Sequence, residues 1–456
     1  MPRPFSVVRV PLGLSGLDAA SCLERLLSPG GTGFLIEKTE DGEKRAWIGV
    51  APFETLVVEG GRAYALSGGR RRRLPGNPFA ALGKRLSEFR ARGGAAFDGG
   101  ATGLLGYEMV RHLERVPARA ERREAALGLY DRVVVLEGGR ASLRALVRNA
   151  GERRRLKAEA KILAERLRGA AAVRVPPPSG KLLPATPRRG RAAFLRGVRR
   201  LKEHIRAGDV FQAVLSEGFD ARLPGGPIAA YRRVRAANRA PYLFCLVDGA
   251  RAVLGASPER LVRVRGGTAE NCPIAGTRPR GRTRAQDLRL EKELRASEKE
   301  RAEHLMLVDL ARNDLGRIAA PGTVKVARFM RTRRFSNVMH LVSEVRAKLD
   351  AGKTPWDVLA ASFPAGTVSG APKVRALELL AGLERTPRGF YAGAVVQHDF
   401  SGSLDSCLAL RTLELTGERA RLQAGAGIVA DSDPAFEWRE VNHKLAGLRR
   451  ALGGRA

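Results

Sequence analysis

Two kinds of apolar pattern divide the chain. In residues 1 to about 140, short apolar runs are separated by turn residues: GFLIEK (33–38), AWIGVA (46–51), TLVVEG (55–60) and DRVVVLEGG (131–139). Such runs, rich in Val, Ile and Leu, predict β-strands. The charge-laced segment from Glu152 to Arg168 carries apolar residues at helical spacing. The stretch VRVPPPSGKLLPATP (173–187) follows. Its prolines lack the N–H that a helix needs, so it reads as a linker. This gives an N-terminal region 1–172, a linker 173–190 and a second region 191–456.

The second region opens with a helix near Arg191. Strands are expected at VFQAVLSEGF (210–219), YLFCLVD (242–248) and RAVLGA (251–256). A long Pro-free helical stretch covers about 287–314, with further helices around 354–384. Strands follow at FYAGAVVQHDF (390–400), LALRTLEL (408–415) and ARLQAGAGIVA (420–430), and a last helix at about 434–451. Strands and helices mix without strict βαβ alternation. The expected fold is therefore mixed α/β (α+β), with mostly antiparallel sheets packed with helices.

Composition narrows the function classes. With 44% hydrophobic residues a large core is available, and with 5% aromatics it must rest on Leu, Val, Ala and Ile. Cys22, Cys245, Cys272 and Cys407 are far apart and form no CxxC pair, which argues against a disulfide framework or a Cys-ligated zinc. The first residues do not read as a signal peptide. No apolar run reaches the roughly 18 residues that a membrane span needs. A cytoplasmic enzyme is expected. The net charge of +34 raises a nucleic-acid or anionic-membrane binder. The arginines are scattered, however, and the densest run, Arg70 to Arg73, sits beside Gly68, Gly69 and Pro75 as in a surface turn. An Arg-rich solvated surface is the better reading; no nucleic acid and no membrane are expected as partners.

Two carboxylate pairs carry candidate chemistry. Glu300 and Glu303 are three apart on the long helical stretch, and Glu437 and Glu440 three apart on the last helix. That spacing puts each pair on one helical face. Two such faces meeting would offer hard oxygen ligands to Mg2+. Taken singly, each pair reads as solvated and matched by Lys or Arg, and Glu440 with Lys444 as an i,i+4 ion pair. SFPAGTVSGAPKVRALELL (362–380), with Thr367, runs into a helix whose first turn holds Pro372. Its free N–H groups suit an anion, or merely a capped helix start. Gly425 and Gly427 in QAGAGIVADSDP (423–434) would let the backbone approach a ligand, or form a bulge. His340 lies in the apolar NVMHLVSEV, either a satisfied core histidine or a general base. Arg411, inside the apolar LALRTL, needs an anionic partner, for which a substrate carboxylate is a good candidate.

In order, PIAGTRPRG (273–281), EKERAEHLMLVDLARNDLGR (298–317), FPAGTVSGAPKVRALELL (363–380), YAGAVVQHDFSG (391–402), CLALRT (407–412) and QAGAGIVADSDP (423–434) resemble the chorismate-utilising enzyme family. The resemblance covers nearly all of 190 to 450. GFLIEK, IGVAPF (48–53) and LLGYEMVRHLERVP (104–117) fit the N-terminal region of its amine-forming members. It implies a fold of large antiparallel sheets packed with helices, with the active site in a central cleft. It implies Mg2+ held chiefly by Glu303 and Glu440, with Glu300 and Glu437 beside them. Arg411, Tyr391, Lys444 and the backbone near Gly425 and Gly427 would grip the enolpyruvyl carboxylate of chorismate, in a pocket that also includes Thr367. Glu259, in ASPERLV, matches the general acid for the departing C4 hydroxyl, Thr277 a pocket residue, and His340 the base that removes the C2 proton.

Two positions separate the family's branches. Water-using members carry a Lys where this chain has Gln212, and many aminodeoxychorismate-forming members a nucleophilic Lys where it has Ala275. Ala forms no covalent adduct. Direct attack of ammonia, and the anthranilate-forming branch of tryptophan biosynthesis, are therefore expected, with the aminodeoxychorismate branch as the alternative. The chain shows no GxCxG glutaminase motif, so ammonia is expected from a separate glutamine amidotransferase subunit in a hetero-oligomer. Tryptophan-inhibited members carry LLES where this chain has FLIEK. Lys38 in place of Ser argues against that inhibition, since a buried ammonium would repel the amino group.

Overall fold

The computed structural model describes residues 5–92, 97–117, 121–171, 173, 185–334 and 338–454. Of the expected linker 173–190, residues 174–184 lie outside them, and Thr186–Pro187 forms a short strand. Two large sheets, of 13 and 12 strands, organise the chain. Their pairings are antiparallel, apart from the short parallel contact of Phe5–Ser15 with Ala91–Arg92. The expected mixed fold with mostly antiparallel sheets is therefore what the chain adopts.

Side-chain alternation explains how the sheets stack. In Thr32–Glu40, Phe34 and Ile36 point one way and Leu35 the other. In Tyr242–Asp248, Phe244 and Leu246 join the first set, and Cys245 and Val247 the second. The first set packs with Leu104, Val395 and Cys407 of the second sheet, making an apolar layer between the sheets. The outer face of the first sheet is covered by helices. Arg191–Arg206 contributes Phe194, Val198 and Leu201, and Pro434–Ala451 contributes Val441, Leu445 and Leu448. The outer face of the second sheet lies under Glu298–Gly316, with Val308, Ala311 and Leu315, and under Pro355–Ser362.

Both regions of the chain contribute to both sheets. Thr32–Glu40 pairs with Tyr242–Asp248 in the first, and Gly100–Leu105 with Ala394–Asp399 in the second. In each sheet the strands of the second region gather toward one end. The short Thr186–Pro187, then Gln212–Arg222 and Arg419–Ile428, end the first, and Ile274–Pro279 beside Val338–Lys348 ends the second.

Several expectations need correcting. Arg70 to Arg73 form an edge strand, Arg70–Leu74, instead of a surface turn. Arg71 stacks on Tyr64 of the adjacent strand, its guanidinium carbon 3.8 Å from the ring centre, and pairs with Glu59 one strand further in at 3.2 Å, so partners in the sheet hold what composition alone reads as a turn. The long helical stretch is two helices, Arg284–Ala296 and Glu298–Gly316, broken at Ser297, whose hydroxyl caps the second. The expected strand 408–415 is also broken. Leu404–Leu408 belongs to the second sheet and Thr412–Thr416 to the first. The chain changes sheets between them, with Arg411 at φ +48°.

Candidate active site

A cavity of about 880 Å3 is lined from strands of both sheets in the second region and from the N-terminal turns of Glu298–Gly316 and Pro434–Ala451. Every residue singled out from the sequence as a site candidate lines it. Each helix is started by a side-chain cap. Ser297 accepts from the N–H of Glu300 at 3.4 Å, and Asp433 from that of Phe436 at 2.7 Å, with Pro434 in the first turn. Glu300 and Glu437 thus stand in the first turns, at the positive ends of two helix dipoles, which stabilise negative charge there; Glu303 and Glu440 lie one turn further along.

The two acidic faces sense one another. Burial, followed by the charge of Glu300 and then, after the opposing Lys299, that of Glu440, raises the pKa of Glu303. Burial first, then Ser432 in the opposite direction and the neighbouring Glu440 carboxylate upward, raises Glu437. Glu437 Oε2 is buried and accepts no hydrogen bond from the described residues. Glu300 is partly neutralised by Arg278 at 3.1 Å, and Glu440 by Lys444 at 2.6 Å. The expected i,i+4 pair therefore forms, inside the cavity wall. Among the described residues no group of three or more His, Cys, Asp or Glu side chains forms a ready-made metal cage. An orphaned carboxylate oxygen amid like charges nevertheless fits a divalent cation that takes few protein ligands, which is the habit of Mg2+.

On the opposite wall, the hydroxyl of Thr367 donates to Glu259 Oε1 at 2.6 Å. Burial pushes the Glu259 carboxyl up to about 7, against the pull of that bond. His340 lies on Val338–Lys348, directly across from Thr277. Its Nδ1 stands 2.9 Å from the carbonyl oxygen of Gly276 and 3.1 Å from Thr277 Oγ1. A carbonyl can only accept, so Nδ1 carries the proton and Nε2 the lone pair. Burial lowers the His340 pKa, the Gly276 bond opposes this, and the Arg411 cation lowers it further. The imidazole is thereby kept in the neutral form that a base requires.

Arg411 takes part in no ion pair among the described residues, and burial lowers its pKa. Its place at the sheet switch carries it to the cavity, which explains a cation in an otherwise apolar run. Nearby, Lys444 Nζ donates to the carbonyl of Gly425 at 2.8 Å. A Cβ on Gly425 would sit 3.1 Å from Tyr391 Oη, and one on Gly427 2.6 Å from Gln212 Nε2. These glycines bring the strand backbone against two polar cavity side chains. Gln212 is buried, and its Oε1 finds no partner among the described residues. Ala275 lies in the cavity wall.

Some lining residues carried no signal in the sequence. Lys299 and Arg439 are brought to the cavity by the fold. Ser432 was visible only as part of a helix start. It orders that start by accepting from the N–H of Val429 at 3.1 Å.

A model described as chorismate binding enzyme matches residues 33–450. An anthranilate synthase component 1 of Streptomyces coelicolor is 46% identical over 429 residues, covering 87% of this chain and 83% of that protein. One from Bacillus caldotenax is 41% identical over 450 residues, covering 92% and 88%. The crystal structure of anthranilate synthase component I from Streptococcus pneumoniae superposes with a TM-score of 0.79 at 32% identity, covering 91% of this chain and 93% of that one. The menaquinone-specific isochorismate synthase of Escherichia coli shares the fold, with a TM-score of 0.73 at 22% identity, covering 99% and 95%.

Proposed function

From the premise that this chain belongs to the chorismate binding enzyme family, matched over 33–450, and has the function of an anthranilate synthase component 1, we propose how its residues divide the work. The reaction is conversion of chorismate and ammonia to anthranilate and pyruvate. The observation that carries this reading is the meeting of two carboxylate pairs, a buried acid, a neutral imidazole and a guanidinium with no ion pair among the described residues around one cavity.

Glu303 and Glu440 would hold Mg2+, with Glu300 and Glu437 beside them. When bound, the ion supplies charge that neutralises the ring carboxylate of the substrate. Arg411, Lys444, Tyr391 and the backbone at Gly425 and Gly427 receive the enolpyruvyl carboxylate. A buried guanidinium without a carboxylate of its own is suited to that task. Glu259, protonated below about 7, gives its proton to the departing C4 hydroxyl. Thr367 holds the carboxyl in place through its 2.6 Å bond. Thr277 and the Gly276 carbonyl fix the tautomer of His340, whose Nε2 then removes the C2 proton as pyruvate leaves.

Gln212 and Ala275 support ammonia as the nucleophile. An amide is no base for water, and a methyl group cannot attack the ring. The unpartnered Gln212 Oε1 is an acceptor for an ammonia N–H. We assign the ammonia supply to a separate glutamine amidotransferase subunit and the reaction to the cytoplasm. Among the described residues no helix is long and apolar enough to cross a membrane.

The test is to give the purified chain chorismate, Mg2+ and ammonium at about pH 8.5, where more ammonia is in its free form, and to follow fluorescence and pyruvate together. Both should rise in step, and neither without Mg2+. Loss of chorismate with no pyruvate, followed by 4-aminobenzoate on adding an aminodeoxychorismate lyase, would assign the chain to the other branch.

A further inference from the structure

We propose that Arg388 is a positioning residue for substrate binding, its guanidinium holding together chain segments that form the carboxylate-gripping wall. The proposal rests on the assignment of that wall to the substrate's carboxylate.

Arg388 is only 1% exposed, yet it makes four side-chain hydrogen bonds. Nη1 donates to the carbonyl of Val368 at 2.7 Å, and Nη2 to that of Val214 at 2.7 Å. Val368 follows Thr367, Val214 lies two residues beyond Gln212, and both line the cavity. The remaining bonds grip Glu384 with both ends of the fork, at 2.8 and 2.7 Å.

The backbone of Arg388 is held as firmly. Its N–H donates to Glu108 Oε1 at 2.6 Å, and that of Gly389 to Oε2 of the same side chain at 3.1 Å. The Tyr107 ring lies 4.3 Å from the guanidinium. The turn so fixed leads directly to Tyr391. On the far side, Glu384 Oε1 accepts from the N–H and the hydroxyl of Ser216, each at 2.8 Å, and Gln423 Nε2 donates to that hydroxyl at 2.8 Å. Gln423 opens the segment that holds Gly425 and Gly427.

One planar cation thus spans the turn after Thr367, the strand after Gln212 and the turn before Tyr391. Stability alone is a weak reason for such a group, since buried ion pairs are often replaced by apolar residues without loss. A rigid fork reaching two carbonyls and a carboxylate fixes relative positions, which a flexible ammonium cannot do.

Arg388→Lys keeps a charge opposite Glu384 and removes the fork. It is expected to fold, with wild-type circular dichroism. Its calorimetric Kd for chorismate, measured with Mg2+ and no ammonia, and its KM should each rise about tenfold, and kcat should change less. A folded variant with lowered Tm but chorismate affinity within about twofold of wild type would make Arg388 merely structural and overturn the proposal. Should Arg388→Lys fail to fold, Tyr107→Leu decides, since it removes the ring 4.3 Å from the guanidinium and Tyr107 does not line the cavity. A rise of about threefold in Kd supports the proposal, and an unchanged Kd overturns it. A wild-type chain that binds chorismate but makes no anthranilate refutes the functional reading, and the affinity ratio still judges Arg388. One that binds no chorismate refutes both.

Discussion

At the scale of single residues, the site works by keeping two kinds of group in unusual states. Glu259 is a carboxyl that burial holds protonated up to about 7. Its acid form is therefore present below that pH and lost above it. With the concentration of free ammonia held constant, kcat/KM for chorismate should fall as pH rises through about 7. Glu259→Gln should lower the rate and flatten that limb. A limb of the same shape in the variant would assign it to another group. The four glutamates are in the opposite position, since they must lose their protons to accept a cation although burial and mutual repulsion raise Glu303 and Glu437. Glu303→Gln and Glu440→Gln each remove one charge at constant shape. Each should reduce turnover by about a hundredfold or more, by analogy with the loss of other charge-stabilising groups, and raise the Mg2+ needed for half-activity. Near-normal activity in both would end the metal assignment.

Elements decide whether such residues meet. The strand Thr32–Glu40 and the helix Pro434–Ala451 were legible because apolar period and capping residues agree there. The carboxylate pairs, Glu259 and Arg411 were legible as a set only through the order of family-like segments. Spacing alone left each glutamate pair a solvated face, because what makes it a site is the other helix, far away in sequence. The strands Lys325–Arg334 and Val338–Lys348 went unread. The first is almost wholly exposed and basic, so no alternation marks it, and it exists through pairing with the second. Arg411 was read as lying inside a strand because period-2 alternation does not register a change of sheet. The pairing of Gln212–Arg222 with Arg419–Ile428 yields a sharper expectation. A methyl group at Gly427 would fall 2.6 Å from Gln212 Nε2, the far end of a flexible side chain. Gly427→Ala should therefore fold with near wild-type Tm while displacing Gln212, raising KM for ammonium more than KM for chorismate. A large loss of Tm would place the strain in the backbone instead.

At the scale of the molecule, the boundary visible in the sequence does not separate two bodies. Strands of both regions pair in both sheets, and a shared apolar layer lies between the sheets. Calorimetric unfolding should accordingly show one transition, with equal calorimetric and van't Hoff enthalpies. The pair that tests this coupling most directly is Lys38 with Asp405. Lys38 is 7% exposed on Thr32–Glu40 of the first sheet, and it pairs with Asp405 on Leu404–Leu408 of the second and with Glu40 at 3.1 Å. Asp405 also accepts from Tyr242 Oη at 2.9 Å. Burial pushes the Asp405 pKa up, but Lys38 and then Arg260 outweigh it, so the net shift is downward. A carboxylate depressed in the folded state contributes stability above its ordinary titration range, and that contribution is lost as pH falls through the folded pKa. Lys38→Met removes the larger of the two cations and leaves Asp405 buried with less compensation. It should cost about 3 kcal/mol or more at neutral pH, and the deficit should shrink on acidification as Asp405 becomes protonated in the variant first. Denaturant melts of both proteins across that range would show the two stabilities converging. Parallel curves would mean that Arg260 and Tyr242 alone hold the charge, and that Lys38 does not tie the two sheets together.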